Sequence, residues 1–284
     1  MQKPTTPDIR LITLDLDDTL LNSDKHLSPR NEAVLRRAAE AGVEIVPASG
    51  RFYDAFPEEI RRLDFVHYIV AVNGAEIRDL RSGKPILTAE LPLDVSLRVM
   101  EYLDSLPVIY DCYMDGWGWM TAELQAKAEE FAPNRHYLDM LLNKRSPVPE
   151  LKAFLREKGR DIQKIQFFIK NVEEKPAIME ELSRRFPEVS ITSSISNNVE
   201  INAPKANKGA ALIALADYLG LEISQTMSFG DQLNDLSMIR TAGLGVAMGN
   251  AVPELKAEAD YITIPCNDDG VAFAVEKFCF TEES

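Results

Sequence analysis

Short apolar runs alternate with amphipathic segments in the first third of the chain. Residues 9–16 are rich in Ile and Leu, as is typical of a strand buried on both faces of a parallel sheet. Residues 28–42 predict a helix, with a serine as N-cap, a proline at the first helical position and a glycine as its stop. Two more strands are predicted at residues 43–51 and 67–75. The resulting βαβαβ order predicts an α/β fold with a doubly wound, Rossmann-like parallel sheet.

The pattern changes in the middle of the chain. Residues 76–91 and 189–203 predict hairpins, and helices, among them one at residues 146–159, alternate with antiparallel strands between them. From residue 208 onward single strands again alternate with helices. We therefore expect one domain to be interrupted by another. The predicted domains are a Rossmann-like core of residues 1–82 and 203–284 and an inserted α+β domain of residues 83–202.

Polar residues follow several predicted strands of the core. Asp15 and Asp17 follow the first strand, Ser49 the second, Asn73 the third, and Asp231 a later one. Open parallel sheets place reactive groups at the carboxyl ends of their strands, so we expect these side chains on one rim. Neighbouring carboxylates repel one another and resist desolvation, which predicts that a cation or a reaction compensates them.

The carboxylates of Asp15, Asp17 and Asp231 are hard oxygen ligands suited to Mg²⁺, which also retains waters and binds substrate phosphate. Such a phosphate needs donors, which the chain offers in Lys208, Ser49 and the backbone amides near Asp17 and Gly50. One carboxylate can attack phosphorus to form an aspartyl phosphate, while a second, protonated one serves the leaving oxygen and then activates water. Asp15 and Asp17 share a face if the segment is extended, which leaves open which of them attacks.

Four segments in order resemble the motifs of the haloacid dehalogenase-like hydrolase superfamily. They are DLDDT at 15–19, SGR at 49–51, NKG around Lys208 and GDQLND at 230–235. The long insertion, VNGA at 72–75, and the tail GVAMGNAVPELKAEADYIT followed by NDDGVA resemble its Cof-type branch. The resemblance implies a phosphatase whose inserted domain is a cap that closes over the substrate and selects its leaving group.

The resemblance also implies roles for individual residues. Asp15 is the expected nucleophile and Asp17 the expected general acid and base. The direct Mg²⁺ ligands would be Asp15, the main-chain carbonyl of Asp17, and Asp231, with Asp235 acting through water. Ser49 and Lys208 would hold the transferring phosphoryl group with Asn234 nearby, and Thr19 would orient the first loop. Apart from the resemblance, Gly50, Arg51 and Asn73 are further candidates for phosphate or substrate contacts.

Several of these residues also have a structural interpretation. Asp18 fits a loop or capping carboxylate, and Asn73 with the following glycine is a strong turn dipeptide. Arg51 fits a surface ion pair as well as a substrate contact. The GDQLND segment fits a helix start with Asp231 or Asn234 as its cap. Lys208 begins a predicted helix, where a cation opposes the helix dipole unless an anion is near, and this favours it over Lys205 as the functional lysine.

The amino-acid composition limits the kinds of binding partner and cellular location that fit this chain. The formal charge of −14 disfavours nucleic acid, which is bound by clustered Lys and Arg. The three cysteines are widely spaced and odd in number, which predicts buried apolar side chains. No apolar run has the length of a membrane span and MQKPTTPD lacks the apolar segment of a signal peptide, so we expect a cytoplasmic protein without a membrane partner.

The resulting hypothesis is a Mg²⁺-dependent phosphatase of small phosphorylated metabolites, with sugar phosphates as the first candidates. Two alternatives stay open. A phosphosugar mutase of the same superfamily would return the phosphoryl group to the sugar. A receiver-like signalling protein would keep it on an aspartate, although receivers are usually single small domains. The oligomeric state stays open as well.

Overall fold

The computed structural model describes residues 8–280, which form two compact units. The first unit takes the described chain up to Gly50, then Phe56–Leu87, and continues from Asn207 onward. The second unit comprises Arg51–Ala55 and Thr88–Ala206.

Strands and helices are numbered in chain order. The strands are β1 (Leu11–Leu14), β2 (Glu44–Pro47), β3 (Tyr68–Ala71), β4 (Glu76–Asp79), β5 (Lys84–Thr88), β6 (Val108–Met114), β7 (Trp117–Thr121), β8 (Arg145–Val148), β9 (Lys164–Ile169), β10 (Ser190–Thr192), β11 (Asn198–Asn202), β12 (Thr226–Gly230), β13 (Leu244–Ala247) and β14 (Tyr261–Ile262). The helices are α1 (Pro29–Glu40), α2 (Glu58–Arg61), α3 (Leu93–Leu103), α4 (Ala122–Ala126), α5 (Ala128–Phe131), α6 (Arg135–Asn143), α7 (Leu151–Lys158), α8 (Lys175–Arg185), α9 (Lys208–Leu219), α10 (Leu236–Thr241), α11 (Pro253–Lys256) and α12 (Gly270–Cys279).

A parallel sheet with the strand order β14-β13-β12-β1-β2 forms the centre of the first unit. Its pairings are all parallel, and β1 lies between β12 and β2, so the predicted doubly wound α/β fold is confirmed. Leu14 at the end of β1 is in register with Phe229 near the end of β12. This register brings the residues that follow the two strands, Asp15 and Asp231, to adjacent positions on one rim.

Helix α1 forms as its sequence predicts. The Ser28 side chain accepts a hydrogen bond from the Asn31 amide, a proline occupies the first turn, and Gly42 follows the helix with φ of 90°. Within α1, Oδ1 of Asn31 accepts a hydrogen bond from the backbone amide of Ala272 at 2.9 Å. This bond connects α1 to α12.

Strand β3 lies parallel to the chain that continues β2, as predicted. Ala48 and Val70 form a parallel bridge, and the Ser49 amide donates to the carbonyl of Val70 at 2.8 Å. On its other side β3 pairs antiparallel with β4 in a three-stranded sheet, β3-β4-β5. Pro47 ends β2 because proline has no N–H to donate to a ladder. The hairpin predicted after β3 is present as β4 and β5.

The second unit contains a six-stranded sheet with the order β10-β11-β9-β6-β7-β8. The β6–β7 hairpin turns at Asp115 and Gly116, which both have positive φ. The helix predicted at residues 146–159 is wrong at its start, because β8 occupies Arg145–Val148 and α7 begins at Leu151. Pro147 is tolerated because β8 is an edge strand.

Within residues 8–280, no helix combines the length and apolarity needed to cross a membrane. The three cysteines are free, with Cys112 and Cys266 buried and Cys279 partly buried.

Candidate active site

Lys208 lies between two carboxylates at the centre of the candidate site. Its Nζ donates to Oδ1 of Asp15 at 2.5 Å and to Oδ1 of Asp235 at 2.6 Å. Asp15 directly follows β1, and Lys208 is the first residue of α9. The N-cap of α9 is Asn207, whose side chain accepts a hydrogen bond from the backbone amide of Ala210. The Lys208 side chain is fully buried, whereas Lys205 is exposed, so the structure places Lys208 at the rim. The two carboxylates offset the unfavourable position of a cation at a helix start.

Asp231 follows β12 and is held by two side chains. Its Oδ1 accepts from the Thr19 hydroxyl at 2.9 Å, and its Oδ2 accepts from Nε2 of Gln232 at 3.2 Å. Thr19 is itself fully buried in the loop after β1. The hydrogen bond therefore links the two loops that carry Asp15 and Asp231, in agreement with the orienting role expected for Thr19.

Asp235 has a different environment. Its Oδ2 accepts from the backbone amides of Asp231 and Gln232 at 2.9 and 3.0 Å, while its Oδ1 accepts from Lys208. Gln232, not Asp231 or Asn234, is the N-cap of the helical turn at Leu233–Asp235, and Asp235 completes a capping box with it. Asp235 accepts from an ammonium and two backbone amides, whereas Asp231 accepts one hydrogen bond on each oxygen, so Asp235 has less capacity left for direct ligation of a metal.

The carboxylates of Asp15, Asp231 and Asp235 form a cluster with the chemistry of a metal site. One oxygen of each lies within 4.8 Å of the others, and all three residues are buried. Burial raises the pKa of Asp15 to about 8; Lys208 opposes this rise, and Asp235 and Asp17 add to it. Burial, followed by the charges of Asp15 and Asp235, raises the pKa of Asp231 well above its usual value. Three carboxylates share one ammonium, so the donor set fits a divalent cation with oxygen ligands, such as Mg²⁺.

The electrostatics of Lys208 agree with this arrangement. Burial alone would lower the pKa of its ammonium, but the carboxylates of Asp15 and Asp235 raise it above the ordinary value. Lys208 therefore carries a fixed positive charge at neutral pH, available to a phosphate group bound beside Asp15.

Asp17 and Asp18 lie in a turn after β1, so the shared face of Asp15 and Asp17 that an extended segment would give does not apply. The amide of Leu20 donates to the carbonyl of Asp15, and that of Leu21 to the carbonyl of Leu16. The Asp17 side chain is 22% exposed, while Asp18 has φ of 61° and its side chain is 41% exposed. Asp18 serves this loop: its carbonyl accepts from Nδ2 of Asn250 at 2.8 Å.

A second group of predicted residues meets at the turn after β3. The Asn73 amide donates to the carbonyl of Ser49 at 2.9 Å, and Nδ2 of Asn234 donates to Oδ1 of Asn73 at 3.2 Å. Asn234 Oδ1 is buried without a hydrogen-bond partner among the described residues. Ser49, Asn73 and Asn234 are thus connected to one another and are all buried.

This turn has an unusual backbone. Val72, Asn73 and Gly74 all have positive φ, which is costly for a β-branched residue such as valine. A Cβ on Gly74 would lie 2.5 Å from the carbonyl oxygen of Asn207, the N-cap of α9. The strained turn therefore packs directly against the start of the helix that carries Lys208. The turn role considered for Asn73 is therefore confirmed, and substrate contact by Asn73 stays a prediction.

Gly50 and Arg51 stand at the boundary of the two units. Gly50 belongs to the first unit and is only half-buried. Arg51 belongs to the second, where Nη1 donates to the carbonyl of Ala55 at 3.1 Å and Nη2 lies 2.9 Å from Nε2 of His136. The contact with His136 is not predicted by the sequence, since a single histidine within a helix carries no signal of its own.

The fold and the carboxylate cluster define an α/β enzyme with its polar side chains at the carboxyl ends of parallel strands. Residues 12–275 match the family model described as haloacid dehalogenase-like hydrolase. The chain is 33% identical over 270 residues to 5-amino-6-(5-phospho-D-ribitylamino)uracil phosphatase YcsE of Bacillus subtilis. This alignment covers 94% of this chain and 95% of that protein. The chain is also 32% identical over 250 residues to the HMP-PP phosphatase of Serratia proteamaculans. That alignment covers 87% of this chain and 86% of the phosphatase.

The solved structures agree with these relatives. A haloacid dehalogenase-like hydrolase from B. subtilis superposes with a TM-score of 0.80 at 27% identity and covers 94% of this chain and 99% of its own. The chain therefore belongs to the haloacid dehalogenase-like hydrolase family. It is a phosphatase of that family, as the sequence predicted.

Proposed function

We propose that this phosphatase depends on Mg²⁺ and hydrolyses small phosphorylated metabolites, with sugar phosphates as its substrate class, through a phosphorylated Asp15. The observation that carries the proposal is the excess of buried carboxylate over positive charge around Lys208. Asp15 and Asp231 would hold the metal directly, together with the carbonyl of Asp17, and Asp235 would support it. The bound metal would supply positive charge to ionised Asp15 and to the phosphate oxygens.

The first half-reaction assigns distinct tasks to two aspartates. A carboxylate oxygen of Asp15 attacks phosphorus, and the bond between phosphorus and the ester oxygen breaks. Asp17 gives its carboxyl proton to that oxygen, so the alcohol leaves neutral. Lys208 and the groups around Ser49 hold the phosphoryl oxygens. The fixed ammonium of Lys208 stabilises the charge that develops on them.

The second half-reaction returns Asp15 to its starting state. Asp17, now a carboxylate, takes a proton from water as the water oxygen attacks phosphorus. The bond between phosphorus and Asp15 breaks, and inorganic phosphate leaves. Asp17 ends protonated, ready for another cycle.

The name of the B. subtilis relative, which describes a ribityl phosphate as its substrate, supports a polyol or sugar phosphate for this chain. We propose that the second unit, Thr88–Ala206 with Arg51–Ala55, is the cap that selects among such substrates. We further propose that the protein works in the cytoplasm, where these metabolites occur.

The test is turnover of a panel of sugar phosphates and other phosphorylated metabolites, with Mg²⁺ and with a chelator. We expect phosphate release that requires Mg²⁺ and is lost in Asp15→Asn. Asp217→Asn is the matched control, because Asp217 is exposed near the far end of α9 from Lys208. Wild-type turnover in Asp15→Asn would contradict the mechanism. Isomerisation of a sugar phosphate without phosphate release would identify a mutase instead.

A further inference from the structure

Lys25 reaches back from a hairpin loop to the aspartates that follow β1. Its Nζ lies 2.8 Å from Oδ2 of Asp18 and 3.6 Å from Oδ1 of Asp17. The Lys25 side chain is only 16% exposed, so this contact is partly shielded from water. Lys25 is not part of any motif considered above, and a single lysine in the polar stretch NSDKH has no signal in the sequence.

The loop that carries Lys25 is built around Asn22. The Asn22 side chain accepts from the amides of Asp24 and His26 at 3.0 and 2.9 Å. The Asn22 carbonyl accepts from the Lys25 amide at 2.9 Å. From a distant part of the same unit, Oδ1 of Asn267 accepts from the Ser23 amide at 2.9 Å. These contacts fix the loop at several points.

Lys25 itself has φ of 66°, in the left-handed region. A non-glycine residue is strained there, and such strain persists only where surrounding contacts impose it. Asn22 and Asn267 impose it here, and the result is that the ammonium points at two carboxylates instead of into solvent. An ordinary surface ion pair would require neither the strained backbone nor the tethered loop.

The proximity to Asp17 has a mechanical consequence. Rotation of a carboxylate about its terminal side-chain bond is a broad, soft motion, so the orientation of an aspartate depends on the groups around it. A partly buried ammonium on the Oδ1 side restricts that rotation and the side-chain rotamer. Proton transfer is sensitive to such orientation, because the donor must lie within hydrogen-bond reach of the leaving oxygen.

We propose that Lys25 is a positioning residue that orients Asp17 for proton transfer to the leaving group. The proposal rests on the proposed function, which gives Asp17 the acid and base roles. Asp18, the closer partner of the ammonium, anchors Lys25 in place, while its own carbonyl is held by Asn250.

The experiment compares two esters whose leaving groups differ in their need for a proton. Nitrophenolate leaves p-nitrophenyl phosphate without protonation, whereas the alkoxide of a sugar phosphate requires it. Because kcat/KM reports the steps through leaving-group departure, we expect Lys25→Met to lower it about 10-fold or more for a sugar phosphate and less than about 3-fold for p-nitrophenyl phosphate. The sugar-phosphate loss should lie in kcat, with KM little changed. Lys25→Arg should recover part of it.

Two further variants separate positioning from folding. Lys25→Gly removes the ammonium and relieves the left-handed strain, so it should fold and show the same dependence on leaving group. His26→Gln, at an exposed position in the same loop, should leave both esters unaffected. In an Asp17→Asn background, Lys25→Met should change the rate of nitrophenolate release in the first turnover of p-nitrophenyl phosphate by less than about 2-fold, because the group it orients is gone.

The outcomes distinguish the two proposals. Equal losses with both esters, or a change confined to KM, in a protein whose wild type is active and Mg²⁺-dependent would overturn the role of Lys25 alone. Absence of ester hydrolysis in the wild type would overturn the proposed function and this inference with it.

Discussion

The ammonium of Lys208 lies 2.5 Å from a carboxylate oxygen of Asp15, although the two residues are 193 positions apart in the chain. The same ammonium lies 2.6 Å from Asp235, so one cation joins the ends of β1 and β12 to the start of α9. The position of the Lys208 ammonium explains how the buried carboxylates are tolerated. One positive charge does not balance the three carboxylates of Asp15, Asp231 and Asp235. That deficit supports the proposed metal binding and phosphoryl transfer.

Replacing Lys208 tests its double role. We expect Lys208→Met to lower kcat/KM by about 100-fold or more, since a fixed charge at the transferring phosphoryl group is lost. In chelator, loss of one partner from a buried ion network should also cost about 3 kcal/mol of unfolding free energy, measured by urea denaturation. The exposed Lys205→Met is the control and should match the wild type in both measurements. An active Lys208→Met protein would exclude Lys208 from the chemistry.

Removal of one metal ligand should weaken Mg²⁺ binding more than it affects the fold. We expect Asp231→Asn to raise the Kd for Mg²⁺, measured by titration calorimetry, by about 10-fold or more, because a charged oxygen ligand becomes neutral. The asparagine oxygen can still accept from Thr19, so the two loops should stay joined. High Mg²⁺ should restore part of the activity. Unchanged affinity would remove Asp231 from the ligand set.

The raised pKa of Asp15 predicts how stability depends on pH in the absence of metal. Its carboxyl changes from a pKa of 3.8 in the unfolded chain to about 8 in the folded protein, so the folded state binds the proton more tightly. The stability that protonated Asp15 contributes is fully present at pH values below its unfolded-state pKa. It is lost as the pH rises through its folded-state pKa. In chelator we expect unfolding free energy to fall by a few kcal/mol, to order of magnitude, from about pH 4 to about pH 8.

Two comparisons isolate this effect in urea denaturation. Asp15→Asn should show a shallower fall over the same range, because its amide does not titrate. Mg²⁺ should stabilise the wild type increasingly as pH rises, since the cation favours the ionised carboxylate. A pH dependence identical in Asp15→Asn and the wild type would contradict the assignment.

Gly74 offers a test of the strained turn beside α9. A Cβ there would lie 2.5 Å from the Asn207 carbonyl at a residue with φ of 97°. We expect Gly74→Ala to cost about 2 to 4 kcal/mol in unfolding free energy and to lower activity by displacing the start of α9. Gly83→Ala is a matched control: it also has positive φ, but its Cβ would have nothing within 4 Å. That change should cost only about 1 kcal/mol and leave turnover intact.

The sequence predicts much of this site because the relevant geometry is regular. A buried parallel strand ends where its apolar run ends, and parallel pairing brings Asp15 and Asp231 to the same rim. Ser28 and Gly42 bound α1 through local hydrogen bonding that depends only on neighbouring residues. Lys208 could be distinguished from Lys205 by its unfavourable place at a helix start.

The features that the sequence did not predict depend on contacts between distant segments. Strand β3 pairs with β4 as well as with the residues that follow β2, and the alternation of strands and helices does not indicate that second pairing. The start of β8 was hidden by a helical pattern that begins only after Pro147. Lys25 reaches the aspartates through a loop held by Asn22 and by the distant Asn267, and no spacing rule encodes that tether.

The most direct test of the account is the covalent state of Asp17→Asn protein after mixing with p-nitrophenyl phosphate and Mg²⁺. The nitrophenolate leaves without a proton, but the variant lacks the base that activates water. We therefore expect mass spectrometry to find one phosphoryl group per chain, located on Asp15, with almost no further turnover, and none in Asp15→Asn. A phosphoryl group on another residue, or fast hydrolysis by Asp17→Asn without a phosphorylated Asp15, would contradict the mechanism.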